Sequence, residues 1–244
     1  MDEWGSAEVT EPIVQGAGIK IDPTLDDLTP EQLRAIMPRC DVPTWHPLLV
    51  STMGRFGIVT PERVAAFLAQ VAHESGELRR LEEGMSYSAE RLMQVWPKRF
   101  PKLATATPYA KAPEALANHV YGSRSDLGNR GVTSGDGWRY RGGGPIQLTG
   151  RAAYEQAGIG TGYPLLERPE LLRVPGPEAA DSAGWFWRMK GCNELADACR
   201  LDATPEQIET PWRALTKRIR GVDESWEERL VYWDRARGAL RGVA

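Results

Sequence analysis

Apolar residues recur at helical spacing along most of this chain, and this periodicity constrains the fold more than any other feature. The clearest case begins at Thr60-Pro61, a capping hydroxyl followed by a proline at the first helical position. Val64, Phe67 and Val71 then mark one buried face of a helix. Because no segment shows the sustained alternation typical of strands, the sequence predicts a mainly α fold with at most a small β-hairpin.

Other helices are predicted from capping residues and periodicity. The run Thr29-Pro30-Glu31-Gln32 forms a capping box that opens the first of them. Further helices are expected at 48–56, 88–96, 112–121, from 151 onward, and at 178–189, 193–198, 205–219 and 224–240. Glycine-rich residues 122–145 are predicted to form a long, exposed, irregular stretch, and residues 146–149 a short strand. Residues 1–26 are interpreted as a flexible N-terminal lead-in, and 27–244 as one domain.

Composition excludes several classes of function. The 244 residues are 41% hydrophobic and 26% charged, which is typical of a soluble globular protein. A formal net charge of −3 argues against nucleic acid as the main partner, and no apolar run is long enough to insert into a membrane. The acidic start Met1-Asp2-Glu3 does not resemble a secretory signal, so we expect a protein made in the cytoplasm. We also expect it to act as a monomer.

The three cysteines, Cys40, Cys192 and Cys199, have no metal-ligand spacing and are expected to be buried thiols. The pair His73-Glu74 invites comparison with zinc proteases, but that motif needs a second histidine at the position occupied by Glu77. Glycines 142–144 lack the lysine of a phosphate-binding loop. The sequence therefore predicts neither a metal nor another cofactor.

Glu74 is the most informative single residue, because it falls where the helix from Thr60 should be apolar. At about 100° per residue it lies roughly 20° from Phe67 around the helix axis. A carboxylate there loses hydration, which disfavours its charged form. A carboxylic acid that keeps its proton near neutral pH is what a general acid requires. The alternative is an ordinary surface glutamate paired with Arg79 or Arg80.

A second acidic position, Glu82-Glu83, follows within about ten residues. A helix, a turn and a second carboxylate can place two acids around one substrate bond, as glycosidases do. Farther along, Gln147 and Thr149 alternate with Ile146 and Leu148. In an extended segment the amide and the hydroxyl would face the same side and could hold sugar hydroxyls or water. The alternative there is an ordinary polar strand edge.

Taken together, these segments resemble glycoside hydrolase family nineteen, a chitinase-like group that includes phage endolysins. The resemblance lies in residues 67–75 (FLAQVAHES), 135–142 (GDGWRYRG) and 145–151 (PIQLTGR), with weaker support at 185–187 and 193–197. It covers roughly residues 27–241, and residues 135–151 are most similar to phage and prophage members. It implies a two-lobed, lysozyme-like, mainly helical fold with a cleft between the lobes, and 27–244 as a single catalytic domain.

The resemblance also implies roles for particular residues. Glu74 would be the general acid and Glu83 the base that activates water, with Glu82 as the fallback. Thr149 would help to hold that water. The implied substrate-binding residues are Gln147, Tyr87, Arg141, Trp138 and Arg229, the last also resembling an arginine of a supporting charge network. Since the family inverts the anomeric centre, the two carboxyl groups should stand about 6.5–9.5 Å apart.

The sequence thus predicts a peptidoglycan-degrading endolysin that cuts β-1,4 glycosidic bonds and reaches the periplasmic cell wall after release from the cytoplasm. Three alternatives stay open: a chitinase, a catalytically silent wall-binding module, and a delivered antibacterial effector with the same chemistry. One departure from the family pattern is Arg220-Gly221-Val222, where members usually carry Asn-Gly-Gly. An arginine there could pair with a carboxylate or alter substrate preference.

Overall fold

The computed structural model describes residues 28–241, and the predicted lead-in at 1–26 lies outside them. The α-helices within this part of the chain are α1 Pro30–Ile36, α2 Val42–Arg55, α3 Pro61–Ser75, α4 Ala89–Val95, α5 Leu103–Ala106, α6 Pro113–Tyr121, α7 Asp136–Arg139, α8 Arg151–Thr161, α9 Pro177–Met189, α10 Cys192–Asp197, α11 Pro205–Arg220 and α12 Trp226–Leu240. The predicted mainly α fold is confirmed. None of these helices is both long and apolar enough to cross a bilayer.

Local sequence accounts for most helix ends. Thr29 and Gln32 form the predicted capping box of α1, and the Thr60 hydroxyl caps α3. The start of α2 was predicted wrongly, because the helix begins at Val42 and contains Pro47. Pro47 lies inside this helix, where it removes one intrahelical hydrogen bond.

The prediction of an exposed, irregular stretch at 122–145 is wrong for its second half. Two short 3-10 turns, Ser125–Leu127 and Val132–Ser134, precede α7, and most residues from 140 to 145 are buried. Asp136 is fully buried, and its carboxylate accepts hydrogen bonds from the backbone and side chain of Arg130 at 2.9 Å. This pairing of a buried carboxylate with an exposed arginine fixes a glycine-rich segment that has few apolar side chains of its own.

The predicted strand at 146–149 is also wrong. Gly143 and Leu148 exchange two backbone hydrogen bonds of 3.0 and 2.8 Å, and the residues between them form a tight turn. Gln147 has a positive φ of 56°, which breaks the extended alternation. The side chains of Gln147 and Thr149 therefore do not share a face in the way a strand would arrange them.

The chain divides into two compact units. The first takes in the described residues up to Leu81, Gly144–Ile146, and those from Val174 onward, so it contains α1–α3 and α9–α12. Its centre is α3, which packs against α10 and α12 and is buried on every side from Val64 to Ala72. The Phe67 ring meets the Trp187 ring edge-on, with centroids 5.3 Å apart.

The second unit comprises Glu82–Gly143 and Gln147–Arg173, and therefore contains α4–α8. One core cluster in this unit includes Met85, Leu92, Phe100, Leu116 and Val120. The half-buried rings of Tyr87, Trp96 and Trp138 pack against this cluster. All three cysteines of the chain are free thiols, and Cys192 and Cys199 are buried as expected.

Candidate active site

Glu74 lies in the last turn of α3, in the first unit, and its side chain is 19% exposed. Its carboxylate pairs with the guanidinium of Arg229, a residue of α12 with no exposed surface. Neither Arg79 nor Arg80 forms this pair, which removes the interpretation of Glu74 as a locally paired surface residue. Burial lowers the pKa of Arg229 and the nearby Glu74 carboxylate opposes that effect.

Arg229 is in turn held by residues that sequence reasoning did not single out. Gln70, one helical turn before Glu74, accepts a hydrogen bond from the Arg229 guanidinium and donates one of 3.3 Å to the Thr216 hydroxyl. A polar residue on the buried part of α3 was a signal available in the sequence. Because Arg229 is completely buried, it cannot contact a substrate directly, and its predicted place among the substrate-binding residues is corrected to a supporting one.

The backbone turns sharply after Glu74. Gly76, Glu77 and Leu78 have φ values of 59°, 65° and 62°, which place three successive residues in the left-handed region. Ser75 fixes this turn, since its hydroxyl donates to the Val71 carbonyl at 2.6 Å and accepts from the Leu78 amide at 2.7 Å. Left-handed backbone at residues other than glycine costs free energy and tends to occur at functional sites.

Glu83 belongs to the second unit, and hydrogen-bond donors surround its carboxylate. The Tyr121 hydroxyl donates to Oε1 at 2.6 Å, and the backbone amide of Gly142 donates to Oε2 at 3.1 Å. Burial, reinforced by the charge of Glu83, raises the pKa of Tyr121, so the phenol keeps the proton that it donates. These two donors fix the position of both carboxylate oxygens of Glu83. Tyr121 lies 38 residues away, and nothing in the local sequence links it to Glu83.

Glu82 has a different environment. Its side chain is exposed and accepts a hydrogen bond of 2.9 Å from Nε of Arg141. The Arg141 guanidinium also donates to the Trp138 carbonyl at 2.7 Å and stacks 3.5 Å from the centroid of the Trp138 ring. Arg141 is 8% exposed. The Arg141 guanidinium therefore orients Glu82 and Trp138.

Gln147 and Glu83 approach each other around a glycine. A Cβ atom on Gly142 would stand 2.8 Å from Oε1 of Gln147 and 3.1 Å from Oε2 of Glu83. The glycine therefore leaves room for both polar groups to lie close together. Thr149 is half-buried, and its hydroxyl donates to the Gln147 carbonyl at 3.0 Å, so its oxygen lone pairs can still accept a hydrogen bond.

Tyr87 and Trp138 are half-buried in the second unit. Tyr87 meets Trp96 edge-on at 5.5 Å, and burial together with the charge of Glu83 raises its pKa. Arg220 is exposed and donates to the Ser225 hydroxyl at 2.9 Å, and no carboxylate within 4.0 Å pairs with it among the described residues. Residues 28–241 contain no cluster of three or more side chains suited to holding a metal ion.

Comparisons with known proteins identify the family of this chain. The family model described as chitinase class I, which represents glycoside hydrolase family 19, matches residues 51–196. A Haemophilus influenzae protein described as a glycosyl hydrolase family 19 domain-containing protein is 36% identical over 168 residues, which are 69% of this chain and 77% of that protein. The acidic endochitinase Q of Nicotiana tabacum is 45% identical over 49 residues, 20% of this chain and 19% of its own.

Among solved structures, chitinase C from Streptomyces griseus HUT6037 matches with a TM-score of 0.57 at 18% identity, covering 90% of this chain and 95% of the other. That likeness supports the mainly helical, lysozyme-like fold. The chain is a member of glycoside hydrolase family 19. It is accordingly a glycoside hydrolase whose substrates belong to the cell-wall or chitin-like glycans.

Proposed function

We propose that this glycoside hydrolase is an endolysin that cuts the β-1,4-linked glycan of bacterial peptidoglycan by an inverting reaction. The observation that carries the mechanism is the contrast between two carboxylates. Glu74 stands beside a buried arginine at the end of a core helix, whereas Glu83 accepts hydrogen bonds from the Tyr121 hydroxyl and the Gly142 amide. An inverting glycosidase needs one acid and one base in different environments.

In the proposed reaction, Glu74 protonates the leaving glycosidic oxygen. A bound glycan covers the exposed part of the Glu74 side chain and excludes water from around its carboxyl group. Arg229 keeps the carboxyl group in position and stabilises the charge that remains after the proton has left.

Glu83 acts as the base that takes a proton from the attacking water. Thr149 accepts a hydrogen bond from this water, because its own proton is already donated to the Gln147 carbonyl. The side-chain amide of Gln147 contacts the sugar, and Tyr87 and Trp138 offer ring surface to it. Arg141 takes part only by holding Trp138 and Glu82 in place.

The biological setting belongs to the same proposal. We infer synthesis in the cytoplasm of a bacterial host carrying a phage or prophage, release to the periplasmic wall, and action as a monomer. The support is the resemblance of residues 135–151 to phage members of the family and the bacterial relative that spans most of the chain. A chitinase is the second candidate, because relatives in tobacco and tomato and the Streptomyces structure are described as chitinases.

The test is product analysis on purified Gram-negative peptidoglycan, with the wild type beside Glu74→Gln. We expect new reducing ends, read by mass spectrometry, from the wild type and at least a hundredfold fewer from the variant, whose glycan binding should persist. The terminal sugar identifies the bond. Cleavage of chitin oligomers but not of peptidoglycan by the wild type would instead make the chain a chitinase.

A matched pair of variants tests the second carboxylate. Glu83→Gln should lose activity as severely as Glu74→Gln, because glutamine cannot accept a proton from water. Glu82→Gln should retain most activity, since Glu82 is tied to Arg141. If Glu82→Gln instead lost the activity and Glu83→Gln retained it, the base would be Glu82.

A further inference from the structure

An open pocket of about 410 Å³ lies at the C-terminal end of α3, and every residue that lines it belongs to the first unit. Its charged and polar lining comprises Arg39, His73, Arg80, Glu228, Tyr232 and Arg235. None of these residues has a place in the proposed reaction. His73 directly precedes Glu74, so the pocket begins one residue from the proposed acid.

The pocket carries a surplus of positive charge. Three guanidinium groups line it, and two of them share one buried carboxylate. Glu77, 2% exposed, accepts hydrogen bonds of 2.9 and 3.1 Å from the Arg39 side chain, while Arg235 lies 3.7 Å away.

The remaining charges do not cancel the surplus. Glu228 bonds to His73 at 3.1 Å. Burial lowers the pKa of His73, so the ring is neutral near pH 7. Arg80 is exposed and has no ion-pair partner within 4.0 Å among the described residues. Three arginines against two glutamates leave one uncompensated positive charge.

The backbone at Arg80 is fixed beside the pocket. The left-handed turn at residues 76–78 reverses the chain, and the Arg80 amide then donates to the Ser75 carbonyl at 2.9 Å. The Arg80 guanidinium lies over Gly76, where a Cβ atom would come within 3.0 Å of its nitrogens.

We propose that this pocket binds a carboxylate of the peptide that peptidoglycan carries on its glycan strand, an inference that rests on the proposed function. The planar fork of an arginine matches a carboxylate in two parallel hydrogen bonds. A surplus of one charge suits a carboxylate better than a doubly charged phosphate. Tyr232 and the exposed side chain of Val231 add apolar surface for the peptide itself.

The position of the pocket fits a substituent of the sugar. Consecutive Cα atoms are about 3.8 Å apart, so the backbones of His73 and Glu74 are close, and an extended peptide gains about 3.3 Å per residue. A peptide of a few residues on a sugar at Glu74 is therefore long enough to extend past the neighbouring residue. Unsubstituted chitin has no such carboxylate. The pocket therefore gives this chain a physical means of distinguishing peptidoglycan from chitin.

Binding is tested first, with the full chain and the stem peptide that an amidase releases from peptidoglycan. Titration calorimetry should show binding that weakens about tenfold in Arg80→Gln, the loss expected for one charge-assisted contact. Arg79→Gln is the matched control, since Arg79 is an exposed neighbour outside the pocket lining. The same peptide with its carboxylates amidated should bind no better to the wild type than to Arg80→Gln. Equal affinities of the three proteins for the unmodified peptide, or tighter binding of inorganic phosphate than of the peptide, would overturn the proposal.

Hydrolysis then separates this inference from the proposed function. The wild type should have a higher kcat/KM on peptide-bearing glycan than on strands stripped by the amidase, and Arg80→Gln should reduce that ratio while Arg79→Gln preserves it. If the wild type cleaves both glycans and Arg80→Gln leaves the ratio unchanged, the pocket inference fails and the endolysin stands. If the wild type cleaves only chitin, both fail.

Discussion

At the scale of single residues, the proposed site depends on hydrogen bonds that fix the position of each carboxylate. Glu74 and Glu83 are chemically identical side chains, yet one adjoins a buried guanidinium and the other accepts hydrogen bonds from a phenol hydroxyl and a backbone amide. Environment therefore divides the proposed roles of acid and base between them.

Tyr121→Phe removes the hydroxyl that donates to Glu83 and little else. We expect kcat to fall about tenfold, the effect of one hydrogen bond to a charged group, with KM nearly unchanged. Steady-state kinetics on soluble glycan fragments would measure this. Tyr109→Phe is the control, because its ring stacks on His119 and has no bond to Glu83. Equal losses in both variants would mean that the Tyr121 hydroxyl has no special role.

Arg229→Met breaks a buried ion pair and also strips Gln70 of a donor. Removing one partner of such a pair costs about 3–5 kcal/mol, so the free energy of unfolding in urea should drop by about that amount. Arg213→Met is the control for this loss of stability. Arg213 pairs with Glu209 and Asp223 on the exposed surface, where the loss should stay within about 1 kcal/mol. Similar losses for the two arginines would contradict a buried supporting role for Arg229.

At the scale of elements, two short irregular segments position the site: the turn after α3 and the turn between Gly143 and Leu148. The helices are rigid, but the positions of the proposed site residues also depend on where these turns direct the chain. Both segments contain left-handed residues other than glycine, namely Glu77, Leu78 and Gln147.

Ser75→Ala should loosen the first turn. The Leu78 amide loses its acceptor and is left buried, at a cost of about 1–2 kcal/mol. Chemical denaturation measures the change. Ser51→Ala, at an exposed position within α2, should be neutral or slightly stabilising because alanine favours helix. An unchanged free energy of unfolding in Ser75→Ala would show that the serine hydroxyl does not stabilise the turn.

Gly142→Ala should damage the second segment. The added methyl group would meet both Gln147 and Glu83 at or below about 3 Å, so one of these side chains must move. We expect activity to fall at least tenfold, because misplacing a catalytic group by about 1 Å can cost a hundredfold. Gly84→Ala is the matched control, since nothing lies within 4 Å of its Cβ position. Full activity of Gly142→Ala would show that Gln147 and Glu83 tolerate displacement.

At the scale of the whole molecule, buried ionisable groups link stability to pH. The pKa values of His73 and His119 are lowered, mainly by burial, from an ordinary 6.5. Burial raises the pKa of Glu77, but hydrogen bonds and charge from Arg39 outweigh it and lower the pKa below 4.5.

The directions of these pKa shifts predict that the free energy of unfolding falls in two steps as the pH is lowered. Below pH 6.5 the unfolded chain binds protons at both histidines more readily than the folded one, so stability falls. Below pH 4.5 the stability contributed by the ionised Glu77 is lost as pH falls through its lowered folded value. Urea unfolding at several pH values between 8 and 4 should show the greatest stability above pH 6.5.

Two variants test which group causes each fall in stability. His119→Phe should reduce the first fall, because the phenylalanine can keep the stacking on Tyr109 without binding a proton. Arg39→Gln should lower stability at pH 7 and flatten the second step, because Glu77 loses its principal partner. A stability that stays constant from pH 7 to pH 4 in the wild type would contradict both assignments.

Much of the fold followed from sequence because its determinants are local. The capping box at Thr29, the cap and proline at Thr60-Pro61, and the periodicity of the later helices fix helix positions within a few neighbouring residues. The errors arose where distant contacts outweigh local pattern. Buried Asp136 organises a segment whose glycines predict an exposed loop, and paired Gly143 and Leu148 fold a predicted strand into a turn.

The sequence by itself determined the helical class, the unusual carboxylate at Glu74 and the second acidic position, because spacing and residue type are enough to reveal them. Only the tertiary structure decided their partners. Arg229 is 155 positions from Glu74, and Tyr121 is 38 positions from Glu83. Such pairs form when helices distant in sequence pack together, and no local periodicity encodes which side chains will then meet.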